Sequence, residues 1–100
     1  MAISSRRGSI QNNIDEQYIG RYAYRSSKAA LNVGMSALAQ DLPQLIILIL
    51  HPGRVKTAFT NFDAEGISVE ESVQSMIKFI STAKKSQSGK FYDYTGAELP

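Results

Sequence analysis

Apolar residues recur in two different rhythms along this chain, and the change from one to the other predicts its elements. Across residues 22–42, Leu31, Met35, Leu38 and Leu42 follow at steps of four, three and four, which places them on one stripe of an amphipathic helix. Ala30, Gly34 and Ala37 form a second row of small residues on the same helix, where another backbone can come close. A glycine inside a helix costs about 1 kcal/mol relative to alanine, so Gly34 predicts tight packing against a neighbour. Pro43 closes the helix, because the residue before a proline is pushed out of helical geometry. Residues 45–50, LIILIL, show no alternation, as expected of a strand buried on both faces.

The remaining elements follow from shorter signals. Ser68 and Glu71 have the spacing of a capping box, and Val69, Val73, Met76, Ile77 and Ile80 supply the apolar face of the helix it opens, a scaffold rather than a site. Residues 90–94, KFYDY, are bracketed by Gly89 and Gly96 as a final strand would be. At the other end, residues 2–5 read as the last part of a strand. Residues 11–20 are polar, lack a sustained period and end in glycine, which predicts a loop, and residues 83–89 form a polar exit loop. The order strand, helix, strand, helix, strand predicts a parallel α/β sheet with right-handed crossovers. No repeat, linker or low-complexity tract divides the chain, so residues 1–100 are expected to form a single domain.

Composition narrows the partners. The formal charge of +2 is spread along 100 residues, and no stretch has the density of a nucleic-acid-binding arm. Arg6 and Arg7 are the adjacent basic pair nearest the candidate site; they read as a solvated loop, with a grip on an anionic substrate as the other reading. Cysteine is absent, which removes disulfides, zinc thiolates and a cysteine nucleophile together. The run at 45–50 is far too short to span a bilayer, and the first ten residues lack the apolar core of a signal peptide. A soluble, cytoplasmic chain with no nucleic-acid or membrane partner is expected. His51 has no second metal ligand at useful spacing and reads as structural.

The candidate chemistry sits near the start of the long helix. Tyr24 and Lys28 are four apart, so their side chains lie one turn from each other on one face. A phenol with an ordinary pKa of about 10 is a poor base at neutral pH, and a neighbouring ammonium favours its phenolate form. Such a pair can give and take a proton. The same spacing also describes an aromatic ring with a lysine stem lying across it, and the flanking segments have to decide between the two.

Those segments are Ile3-Ser4-Ser5-Arg6-Arg7-Gly8-Ser9-Ile10 before the helix, Tyr24-Arg25-Ser26-Ser27-Lys28 within it, and His51-Pro52-Gly53-Arg54-Val55-Lys56-Thr57 after it. Together they resemble the short-chain dehydrogenase/reductase family. Ser68-Val69-Glu70-Glu71-Ser72 and Phe91-Tyr92-Asp93-Tyr94-Thr95-Gly96 add a likeness to its C-factor and sniffer-type carbonyl reductases. The resemblance implies an NAD- or NADP-dependent oxidoreductase that passes hydride between the cofactor and a small carbonyl or alcohol substrate. It implies catalytic roles for Ser5, Tyr24 and Lys28: Tyr24 exchanges the proton, Lys28 favours the phenolate and holds the ribose, and Ser5 positions the substrate oxygen. Cofactor contacts carry over to Tyr24, Lys28, Pro52, Gly53, Val55 and Thr57. Residues 58–66 become a substrate-side flap in which Phe59 and Phe62 read either as apolar walls or as ordinary packing.

The resemblance also says which part of the family's fold this is. It implies the C-terminal half of a Rossmann-type doubly wound parallel sheet, with the N-terminal half absent. The 100 residues contain no glycine-rich strand-to-helix turn, no acidic residue placed for a ribose and no equivalent of the family's catalytic asparagine. The chain by itself is therefore expected to be inactive and to bind the dinucleotide poorly unless another chain completes it. An unpaired strand edge near Ile3 and the family's use of the helix at 22–42 predict a homo-oligomer. The alternative is a truncated, non-enzymatic remnant that acts as an oligomerising or partner-binding module.

Overall fold

A computed structural model describes residues 1–55 and 66–100. Three parallel strands lie in the order β1 (Ala2–Ile3), β2 (Ile49–His51) and β3 (Phe91–Asp93). Ala2 pairs with Ile49 and Ile3 with Leu50, while Ile49, Leu50 and His51 pair with Phe91, Tyr92 and Asp93. The helices are α1 (Ile10–Asp15), α2 (Tyr22–Asp41) and α3 (Val69–Ser81), so α2 connects β1 to β2 and α3 lies between β2 and β3 in sequence. The expected α/β order is present. Each strand is shorter than the segment read for it: β1 ends at Ile3, β2 begins only at Ile49 and β3 stops at Asp93.

Alternation along β2 sends its side chains to two different neighbours. Leu48 and Leu50 join Tyr92 and Met76 of α3 in a buried cluster, with Phe79, Ala83 and Tyr94 packed around it. The Phe79 and Tyr92 rings meet at 5.0 Å and 55°, a tilted contact that adds to the area term. Ile49 and Phe91 point to the other face, where a groove of about 810 Å³ is lined by Ala29, Val33 and Ala37 of α2. Burying Ile49 and Leu50 stabilises the fold by about 1.5–3 kcal/mol each, which makes β2 the centre of the core. Leu45 and Ile46, by contrast, are exposed, so only the last four residues of the LIILIL run, from Ile47 to Leu50, are buried.

The long helix agrees with its predicted span, with Leu42 as its C-cap and the Leu42 N–H donating to the Leu38 carbonyl. Its packing is looser than the stripe suggested. No residue of α2 is fully buried: Leu31, Met35 and Leu42 are half-covered, and Leu38 is exposed. A methyl group added at Gly34 would meet nothing within 4 Å, so the close neighbour expected there is not supplied by the described residues. Replacing Gly34 with Ala removes backbone freedom from the unfolded chain without a clash. It should stabilise the protein by about 0.5–1 kcal/mol in urea unfolding.

Two further expectations change. Residues 10–15 are helical rather than loop, because Ser9 Oγ accepts from the Asn12 N–H (3.1 Å) and the buried Asn13 side chain donates to the Arg7 carbonyl (2.9 Å). In α3, Ser68 Oγ accepts from the Glu71 N–H as the capping pattern requires. Its inward face, however, is Ser72, Met76 and Phe79, while Val69, Val73, Ile77 and Ile80 are exposed.

Candidate active site

The chain leaving β1 and the chain leaving β2 turn into one cleft of about 960 Å³. After β1, the Ser4 N–H continues the pairing by donating to the Leu50 carbonyl, and Ser4 Oγ donates to Asn32 Oδ1 on α2 (2.5 Å). Ser5 is buried and caps a 3-10 turn over Arg6–Gly8, its Oγ accepting from the Arg7 N–H at 3.1 Å. That bond uses the oxygen as an acceptor and leaves the hydroxyl hydrogen to be donated into the cleft. Gly8 then lies against α2 itself. A Cβ at this position would stand 2.8 Å from Asn32 Nδ2 and 2.9 Å from the Lys28 carbonyl group, so any side chain would force the turn off the helix.

This close approach is what sets Ser5 beside the start of α2. Tyr24 lines the same cleft as Ser5, half-buried, with the Arg21 guanidinium 4.3 Å and the Lys28 ammonium 5.8 Å from its ring centroid. Two cations therefore face one phenol ring. Lys28 stands one helical turn beyond Tyr24 and is not itself part of the cleft wall.

At the end of β2, Pro52, Gly53 and Val55 form the opposite wall. Gly53 has φ +88°, and a Cβ there would meet the Tyr94 ring at 2.8 Å. Only glycine combines that backbone with that contact. The turn is held from behind by Ser72, whose buried hydroxyl donates to the Pro52 carbonyl at 2.6 Å, so α3 contributes to the site that the sequence assigned it no part in. Val55 is tied to Ile67 by an isolated parallel bridge and by the Ile67 N–H donating to the Arg54 carbonyl at 2.7 Å. Thr57, Phe59 and Phe62 lie outside the described residues. Ser5, Tyr24, Pro52, Gly53 and Val55 are thus brought together, with Lys28 directly behind Tyr24.

His51 is structural, as expected, and its role has a pH consequence. Its Nδ1 accepts from the Arg6 N–H (3.2 Å), which ties the 3-10 turn to β2 and requires the neutral ring. Burial, reinforced by Arg6 and Arg7 against the opposing pull of Asp93 and Glu16, lowers its pKa from 6.5 to about 4. Between those values the unfolded chain binds a proton at His51 that the folded chain refuses, so acid favours unfolding. Stability contributed by the neutral ring is present above 6.5, falls as the pH drops, and is lost below about 4, at a ceiling of about 3 kcal/mol. Urea unfolding of the natural protein and of His51→Asn should show this: the natural protein loses about 2 kcal/mol more on going from about pH 7 to about pH 5.

Three contributors escaped the sequence reading. Asn32 and Ser72 are polar residues on faces that pack inward, visible only once the helices are placed. Tyr18 stacks on the Arg7 guanidinium at 4.3 Å, and Arg7 also donates to Glu16 at 2.7 Å, so Arg7 is 13% exposed rather than solvated. Among the described residues no group of three His, Cys, Asp or Glu is placed to hold a metal ion, and no helix is long and apolar enough to cross a membrane.

No family model matches the chain. It is 40% identical to the C-signal protein of Myxococcus xanthus over 98% of its own length and 58% of that protein's. Two solved structures superpose with a TM-score of 0.87. One is the NADPH-bound carbonyl reductase from chicken fatty liver, 36% identical over 97% of this chain and 40% of that one. The other is the carbonyl reductase Sniffer of D. melanogaster, 39% identical over 97% of this chain and 38% of that one. The chain thus spans little more than half of the first protein and about two-fifths of the other two.

Proposed function

The chain belongs to the short-chain dehydrogenase/reductase family, matching the C-terminal part of its members, and from that premise we propose that it carries the proton-transfer machinery of an NAD(P)-dependent carbonyl reductase. The observation that supports this reading is the convergence of Ser5, Tyr24 and the Pro52–Gly53 turn, from three separate segments, on one cleft. Tyr24 Oη gives its proton to the substrate oxygen in reduction and takes it back in oxidation. The Arg21 guanidinium and the Lys28 ammonium face the Tyr24 ring, at 4.3 Å and 5.8 Å from the centroid. Ser5, its oxygen already engaged by the Arg7 N–H, donates its hydroxyl hydrogen to the substrate oxygen and fixes its position.

The cleft fits the nicotinamide end of the cofactor. A volume of about 960 Å³ admits a nicotinamide ring with a small carbonyl beside it, and the glycine turn at residue 53 brings bare backbone to the wall. Pro52, Gly53 and Val55 would hold that ring, Lys28 the adjoining ribose, and Thr57 is assigned to the same contact by its place in the segment. When bound, the nicotinamide supplies or accepts the hydride. The dinucleotide phosphates are held by groups outside these 100 residues, so the chain acts as part of a larger assembly, and by itself it is inactive. The same reading sets a second copy against the exposed row Ala30, Gly34 and Ala37 of α2.

The test uses the assembled protein with deuterium-labelled NADPH and a set of simple aldehydes. Transfer of the label to the carbonyl carbon, read by mass spectrometry, is the expected result. No transfer to any aldehyde, together with a stable complex formed through α2, would move the function to a non-enzymatic binding module.

A further inference from the structure

The wall of the cleft formed by the 3-10 turn carries an unbalanced charge. Arg6 and Arg7 share a single carboxylate: Arg7 Nη2 meets Glu16 Oε1 at 2.7 Å, and Arg6 Nη1 stands 3.6 Å from Glu16 Oε2. Two guanidiniums against one carboxylate leave one positive charge over. Asp93, the other acidic group on the cleft wall, keeps its charge but turns Oδ1 to the Thr95 N–H (2.8 Å), the Thr95 hydroxyl (2.6 Å) and the Ala97 N–H rather than to either arginine. His51, beneath the turn, is held neutral and adds no compensating group.

The hydrogen bonds are unbalanced as well. Arg6 Nε and Arg7 Nη1 are buried donors with no acceptor among the described residues. Asn12 Nδ2 and Asn13 Oδ1 nearby are likewise buried without a partner among the described residues, so the turn leaves part of the hydrogen-bonding capacity of its arginines unused. The two arginines are not equivalent. Arg7 is wedged between Glu16 and the Tyr18 ring, whereas Arg6 is 36% exposed, has only the longer contact to Glu16, and has its backbone pinned by His51. Arg6 is placed to reach an incoming anion, and Arg7 to keep Glu16 turned aside.

The geometry points to a substrate that carries a carboxylate at a distance from its reactive carbonyl, gripped by Arg6 at the rim while the carbonyl reaches Ser5 and Tyr24. This rests on the carbonyl reductase reading for the carbonyl end and on the Arg6, Arg7 and Glu16 arrangement for the other. Guanidinium and carboxylate form charge-assisted, often paired hydrogen bonds, which suit a planar acid better than a neutral ester.

A matched pair of probes tests it: 4-formylbenzoate and its methyl ester. Binding of each to the assembled protein is measured by calorimetry without cofactor, and turnover of each is measured with NADPH. The carboxylate is expected to bind about tenfold more tightly than the ester at low salt, with the preference shrinking as salt rises. Arg6→Gln should abolish the preference, and Arg6→Lys, which keeps the charge and loses the paired geometry, should restore part of it. Equal binding of the two probes, failure of both to bind, a preference that ignores salt, or a preference that survives Arg6→Gln would overturn the carboxylate subsite. The two readings fail separately. A carboxylate that binds preferentially while neither aldehyde is reduced leaves the subsite standing and removes the reductase; equal turnover and equal binding do the reverse.

Discussion

Replacing Tyr24 with Phe is expected, under the proposed mechanism, to lower the turnover of the assembled protein by about 10²–10⁴-fold while leaving its unfolding curve in place. The ring is retained, so the contact with the Arg21 guanidinium at 4.3 Å persists, and only the hydroxyl is lost. Steady-state rates and a urea titration on the same preparation separate the two effects. A loss of activity that came with a loss of stability would mean that the hydroxyl holds the fold, and retained activity would assign the proton to another group. Ser5 is the weaker site for the same experiment, because its Oγ also caps the 3-10 turn and its removal disturbs Arg6 and Arg7.

Gly8→Ala is expected to be strongly damaging. The added methyl would overlap the Lys28 carbonyl and Asn32 Nδ2, both at or below 2.9 Å, and one of these is main chain that has no room to give. Overpacking of this kind costs about 1–3 kcal/mol. Under the proposed mechanism the functional loss is expected to exceed the structural one, because a turn pushed off α2 carries Ser5 with it. A displacement of about 1 Å between groups that act together costs about a hundredfold in rate. Unfolding and turnover measured on Gly8→Ala and Gly34→Ala make the comparison direct. The same substitution destabilises at residue 8, where helix backbone lies against the turn, and stabilises at residue 34, where nothing does.

What could be read from the sequence was whatever depends on near neighbours. The span of α2 followed from its apolar steps and from Pro43, and the start of α3 followed from Ser68, because caps and breakers act within a few residues. The site residues themselves came from the likeness of three segments to a known family, and the fold brings Ser5, Tyr24, Pro52, Gly53 and Val55 to one cleft. What was misread depends on contacts between distant residues. Ile10 and Ile14 are exposed, so no apolar face holds residues 10–15, and their helix forms because Ser9 caps it and Asn13 bonds to the Arg7 carbonyl. The apolar periodicity of α3 put Val69, Val73, Met76, Ile77 and Ile80 inward, whereas the buried residues are Ser72 and Met76. The burial of Ser72 is stabilised by one hydrogen bond to Pro52, twenty residues away in sequence and invisible to any local pattern.

The parallel pairing of β1 with β2 has a consequence for biosynthesis. Ala2 must wait for Ile49, and Ile3 for Leu50, almost half the chain later. At about 5–20 residues per second the first strand leaves the ribosome on the order of seconds before this partner does. α2 is complete well within that interval, and through Ser4–Asn32 and the contact of Gly8 with Lys28 it offers the waiting segment a place to dock. The nascent polypeptide can therefore assemble the Ser5 side of the cleft while the Pro52–Gly53 side is still being translated.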